Sequence, residues 1–133
     1  MIKHSLAVLS LSWMIWLAIV PDAQSQTSSI SYSTVAEART ALLAKPGAQA
    51  QEQQGWLIIN DSPEFTLWSF TPLGHEAHPA VIKRIIMQQG DGVFIEMSAL
   101  CEAKKAPCDR LVDEFVKLND TIRQNLQRKL QQK

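Results

Sequence analysis

Val81-Ile82-Lys83-Arg84-Ile85-Ile86-Met87-Gln88, then Gln89-Gly90-Asp91-Gly92, then Val93-Phe94-Ile95-Glu96-Met97-Ser98-Ala99-Leu100-Cys101, is the stretch that decides the fold. The first run is rich in β-branched residues, which suit a pleated surface. Gly90-Asp91-Gly92 is a hairpin turn, because glycine reaches the backbone angles such turns need. In the last run Val93, Ile95, Met97 and Ala99 alternate with Phe94, Glu96, Ser98 and Leu100, the period of a strand. Two strands, over 81–88 and 93–101, are therefore expected.

Working upstream, Trp56-Leu57-Ile58-Ile59 is a short apolar run that ends at Asn60-Asp61-Ser62-Pro63. Those four residues favour turns, each for its own reason. Glu64 to Phe70 alternates again, with Phe65 and Leu67 on one side and Trp68 and Phe70 on the other. Two more strands follow from this pattern. Residues 46–55 open with Pro46-Gly47 and continue rich in Gln and Ala, so they read as a surface linker. Before them, Thr34-Val35-Ala36-Glu37 has the Thr-x-x-Glu spacing of a capping box. Val35, Ala38, Ala41 and Leu42 then share one face, which predicts a short helix over 34–45. Gln26 to Ser33 is polar and reads as frayed.

Downstream, Leu111, Phe115, Leu118, Ile122 and Leu126 keep one apolar stripe at helical spacing, widened by Val112 and Val116. Pro107 suits a first turn, where its missing N–H would go unpaired anyway. Asp109, Asp113 and Glu114 stand toward the positive end of the helix dipole. A long helix over 107–130 is expected. The fold class is α+β. It is a four-stranded antiparallel meander with a short N-terminal helix and a long C-terminal helix packed on the sheet, in the order α-β-β-β-β-α.

The two cysteines, Cys101 and Cys108, fall between the last strand and this helix. A lone close pair in an oxidising compartment reads as a disulfide. A redox-active pair usually takes Cys-x-x-Cys spacing, and six residues intervene here. The bridge would tie the strand to the helix start.

The compartment comes from the first 25 residues. Lys3 and His4 precede an uncharged apolar run from Ser5 to Val20, Pro21 breaks it, and Ala23-Gln24-Ser25 offers small residues for a cut before Gln26. That is the layout of a signal peptide, and the run is shorter than the ~20 residues a spanning helix needs. The expectation is a periplasmic or secreted protein whose single domain is residues 26–133, with the membrane involved only through the leader. The 133 residues carry 13 basic and 13 acidic side chains and no net charge. Nucleic-acid binders usually carry a basic excess, so nucleic acid is not an expected partner. From Ile122 onward the only charges are Arg123, Arg128, Lys129 and Lys133, which suit the negative end of a helix dipole.

Chemistry-bearing side chains are densest in Thr71-Pro72-Leu73-Gly74-His75-Glu76-Ala77-His78-Pro79. Three readings compete. His75 and His78, with Glu76, offer part of a metal site, but zinc wants three or four protein ligands. The zincin pattern would place the second histidine one residue later, on a helix. Acid–base catalysis by a histidine lacks an evident nucleophile or orienting partner. The third reading is a shaped recognition loop held by the sheet. Trp68 and Phe70 would extend it as a binding patch if exposed, and otherwise belong to the core. Lys83 and Arg84 occupy opposite faces of their strand. They mark a solvent face or shield an edge, and Arg84 is alternatively an anion-binding group.

The residues Leu67 to Pro72, His75, His78-Pro79, Val81, Lys83-Arg84, Cys101-Glu102-Ala103, Cys108-Asp109, Phe115 and Leu118-Asn119 together resemble a set of small exported bacterial proteins. The resemblance spans about residues 56–120. It implies export and a single domain, and carries no catalytic assignment. No cofactor motif is legible. The expected function is a non-catalytic binding module, of inhibitor or immunity type, that engages a protein or envelope component through residues 71–79. The candidate binding residues are His75, Glu76, His78, Trp68, Phe70 and Arg84. The alternative is a metal-binding protein or metal-dependent enzyme using His75 and His78.

Overall fold

The computed structural model describes residues 30–62 and 65–133. The leader expected over residues 1–25 lies outside the described residues. Thr34 caps helix α1 (Val35–Leu43) by accepting the Glu37 backbone N–H at 3.1 Å. The Glu37 carboxylate reaches back one residue further than a strict capping box, to the Ser33 N–H at 3.0 Å. Five strands follow in chain order: β1 (Ala48–Gln53), β2 (Trp56–Asp61), β3 (Thr66–Phe70), β4 (Ala80–Gln89) and β5 (Gly92–Cys101). Helix α2 (Lys105–Gln131) completes the chain. Each strand pairs antiparallel with its chain neighbour, so the sheet order is β1-β2-β3-β4-β5.

The α+β meander stands, with five strands rather than four. The extra strand is β1, which occupies the stretch expected to be a linker. Its sequence, Ala-Gln-Ala-Gln-Glu-Gln, has no β-branched or aromatic residue, and all but its first residue are exposed. It is an edge strand that needs no apolar face because it packs against little. Gln54 and Gly55 both have positive φ (51° and 83°) and turn the chain back into β2. That is the geometry a two-residue hairpin turn requires. Asn60 and Asp61 belong to β2, opposite Gln49 and Ala48, rather than to the turn after it. Phe65 falls outside β3, with φ 49°, and is 74% exposed. Residues 30–33 are not all frayed: Ile30 is buried among Val35, Leu42 and Trp68.

The sheet register sorts the core into two halves. Leu57, Phe70, Val81 and Leu100 are cross-strand partners in one row, and Ile59 and Trp68 in the next. This face takes α1, through Val35, Ala38 and Leu42. On the opposite face Ala80, Ile82, Met97 and Ala99 pack against Leu111 and Phe115 of α2. The two helices thus cover opposite faces of one sheet. Lys45, just after α1, pairs with the buried Asp61 at 2.5 Å and ties the helix end to β2. The Cys101 and Cys108 sulfurs lie 2.08 Å apart as a disulfide, which joins the end of β5 to the first turns of α2. Among the described residues no helix is long and apolar enough to cross a membrane.

Candidate functional site

Loop 71–79 leaves β3 and returns to β4 at one end of the sheet, and it is pinned from within. The Thr71 hydroxyl accepts the Ala80 N–H at 3.0 Å and donates to the Ala80 carbonyl at 3.3 Å. That closes the loop base beside the Thr71 N–H to Ala80 carbonyl bond at 3.0 Å. Inside it, His75 N–H bonds the Pro72 carbonyl and His78 N–H the His75 carbonyl, two successive tight turns. The His78-Pro79 peptide is cis.

The two histidines are held differently. His78 Nδ1 lies 3.1 Å from the Thr71 carbonyl oxygen, which can only accept, so Nδ1 carries the proton. Nε2 is then the ring's remaining acceptor. His75 Nδ1 instead accepts the Ala77 N–H at 3.1 Å, so its proton sits on Nε2 when the ring is neutral. The His75 ring meets Trp56 edge-on, with centroids 5.4 Å apart, and Trp56 meets Phe115 of α2. Glu76 receives two bonds from Arg110 of α2, at 2.7 and 2.8 Å. The Glu76 carboxyl is held below its ordinary range chiefly by those bonds, and the Arg110 pKa is raised by the same contact. His75, Glu76 and Ala77 therefore face α2, while Thr71, Pro72, Leu73, His78 and Pro79 face α1.

On the α1 side these residues wall a cleft of about 570 Å³. Leu57, Phe70 and Pro79 supply apolar surface there, and Arg39, Glu52 and Glu102 bring charges of both signs. Leu73 is one of its walls and is 88% exposed. The arrangement suits an apolar group with a polar surround, the usual make-up of a binding pocket. The Thr71 hydroxyl also lies 3.1 Å from His78 Nδ1. With its one proton given to the Ala80 carbonyl, it accepts from the Ala80 N–H and from Nδ1–H, so in this arrangement His78 does not draw a proton from it.

The candidate residues divide accordingly. His78 lines the cleft, whereas His75 and Glu76 belong to the α2 face, so the loop does not present its two histidines as one site. Among the described residues no group of three or more His, Cys, Asp or Glu is placed to hold a metal ion. Trp68 and Phe70 are 5% and 3% exposed and sit in the α1-side core, not in a surface patch. They are buried because residues 66, 68 and 70 all point toward α1. Phe70 still reaches the cleft wall. Arg84 neither faces solvent nor shields an edge: β4 is an inner strand, and Arg84 is 7% exposed under α2. Lys83, on the other face, lies over the Trp68 ring at 5.3 Å. Leu73, Arg39 and Glu102 were not singled out by the sequence. Leu73 had a readable signal, an apolar residue between Pro72 and Gly74 in a turn. Arg39 and Glu102 had none, since only the fold brings them to the loop.

No protein-family model matches the chain, and no curated protein or solved structure matches it either.

Proposed function

We propose that the protein is an exported, non-catalytic binding module that engages a protein or envelope component through the cleft walled by residues 71–79. Inhibitor and immunity-type roles belong to this class. The observation that carries the reading is Leu73, an exposed apolar side chain on a tightly pinned loop beside an apolar cleft. Burying a leucine contributes about 1.5–3 kcal/mol, and a preorganised loop loses little entropy when it does so. Export rests on the signal-peptide layout of the first 25 residues and on a disulfide that suits an oxidising compartment.

The test is crosslinking of the tagged protein in its native compartment, with the captured material identified by mass spectrometry. Wild type is expected to capture one partner. Leu73→Asp is expected to lose it, and Val116→Asp, an exposed position on α2, to keep it. N-terminal sequencing of the same preparation is expected to begin at Gln26. Capture that survives Leu73→Asp would remove the cleft from the reading, and an intact leader on the recovered protein would remove export.

A further inference from the structure

Arg84 is a buried cation with no anion beside it among the described residues. Its residue is 7% exposed, on the sheet face that α2 covers. Its Nη1 donates to Asn119 Oδ1 at 3.5 Å and its Nη2 to Ser69 Oγ at 3.4 Å, both at the outer limit for such bonds. The buried Nε has no hydrogen-bond partner. The guanidinium carbon lies 5.2 Å from the Phe115 ring centroid, a favourable contact that satisfies no N–H. Desolvation by burial pushes the Arg84 pKa down. A buried charge left this way is costly, and natural proteins rarely retain one without a use.

The side chain opens on a cavity of about 460 Å³ between α2 and the β1–β2 hairpin. Trp56, Ile58, Phe115 and Leu118 make it mostly apolar, and Glu114 is its one acidic lining residue. From this the geometry points to a second binding site, independent of the α1-side cleft, for an apolar monocarboxylate. Its carboxylate is received end-on by the Nη hydrogens of Arg84 that Asn119 and Ser69 leave unused, a fork that guanidinium offers carboxylates. Its hydrocarbon or aromatic body lies against Trp56, Ile58 and Phe115. A single guanidinium balances one negative charge. Glu114 disfavours a second, which sets the site against phosphate dianions. The shared chemistry is a carboxylate on an apolar body, and it has two sources: a small free acid, or the C-terminal carboxylate of an apolar peptide end.

The test follows the intrinsic fluorescence of the oxidised protein, to which Trp56 contributes, during titration with four probes. These are 3-phenylpropanoate, its neutral amide, a short peptide ending in free Phe against the same peptide amidated, and inorganic phosphate. Saturable binding of a carboxylate probe is expected, with the neutral or amidated counterpart about tenfold weaker or more. Tighter binding of 3-phenylpropanoate than of the peptide assigns a small acid as the source, and the reverse assigns a peptide end. Arg84→Met is expected to abolish binding while folding normally by circular dichroism, because it replaces a buried charge with an apolar group of similar length. Arg84→Lys is expected to bind more weakly than wild type, having lost the fork. No binding of either carboxylate probe, equal binding of acid and amide, a preference for phosphate, or unchanged binding by Arg84→Met would overturn the site. Should Arg84→Met fail to fold, the acid-against-amide comparison on the wild type decides alone.

Discussion

Glu76 and Arg110 meet across the gap between loop and helix with two short bonds, yet both side chains are about half exposed. Solvent screens such pairs, so their contribution to stability is small and shows best in its pH dependence. The hydrogen bonds from Arg110 hold the Glu76 carboxyl below its ordinary value, outweighing the opposing push of desolvation. The pair's contribution is therefore present above the ordinary glutamate pKa and is lost as pH falls through the depressed one. Melting temperatures recorded between about pH 6 and pH 3 are expected to fall less for Glu76→Gln than for wild type. An identical decline in both would show that the pair is not formed in solution. Arg84 and Asn119 show what a single residue can conceal. Asn119 takes the core-facing place one turn after Phe115 and is 9% exposed, while Leu118 is 43% exposed. A polar residue at that step of an apolar stripe was a readable sign of a buried polar partner. Its identity as Arg84, 35 positions earlier, was not readable, because only the sheet register sets the two face to face.

The disulfide works between elements, fastening the last strand to the long helix. It closes a loop of eight residues, for which the chain-entropy model gives about 2.5 kcal/mol. Replacing both cysteines by serine is expected to lower stability by about that amount in a denaturant titration. Adding a reductant to wild type is expected to have the same effect. A loss near zero would mean that the packing of Leu111 and Phe115 and the polar contacts of α2 hold it to the sheet without the bridge. Elements with a strong period were legible in the sequence: both helices, and the strands that became β4 and β5. The turn expected over Gly90-Asp91-Gly92 is there, but Gly92 already pairs with Gln89 as the first residue of β5. β1 was not legible because an exposed edge strand needs only backbone pairing, and its Ala and Gln residues carry no pattern. The site was legible as a loop but not as a cleft. Which side of the sheet end each histidine serves depends on hydrogen bonds to Thr71 and Ala77 that sequence spacing does not encode.

Across the whole molecule, one sheet serves as floor for two separate helical covers. Leu42 and Leu111 are each 1% exposed, the first under α1 and the second under α2. Truncating either to alanine is expected to cost about 2–5 kcal/mol, from lost burial and the cavity left behind. Because both halves of the core share the same strands, each variant is expected to lower a single common transition. Near-ultraviolet and far-ultraviolet circular dichroism would then coincide throughout the melt. Two separable steps in either variant would show that the faces unfold independently. The mixed charge of the cleft and the buried cation beneath α2 also lie on opposite faces, so changes at one are expected to leave binding at the other intact.

The meander has a consequence for how the molecule is made. Every strand finds its partner immediately before it in the chain, so each pairing closes only a short loop, and chains of that kind assemble quickly. A polypeptide delivered N-terminus first can lay each new strand against one already in place, starting from α1 and β1 and ending at β5. Helix α2 comes last and covers the remaining bare face, and oxidation of Cys101 and Cys108 then latches a sheet whose strand pairings were each made between chain neighbours.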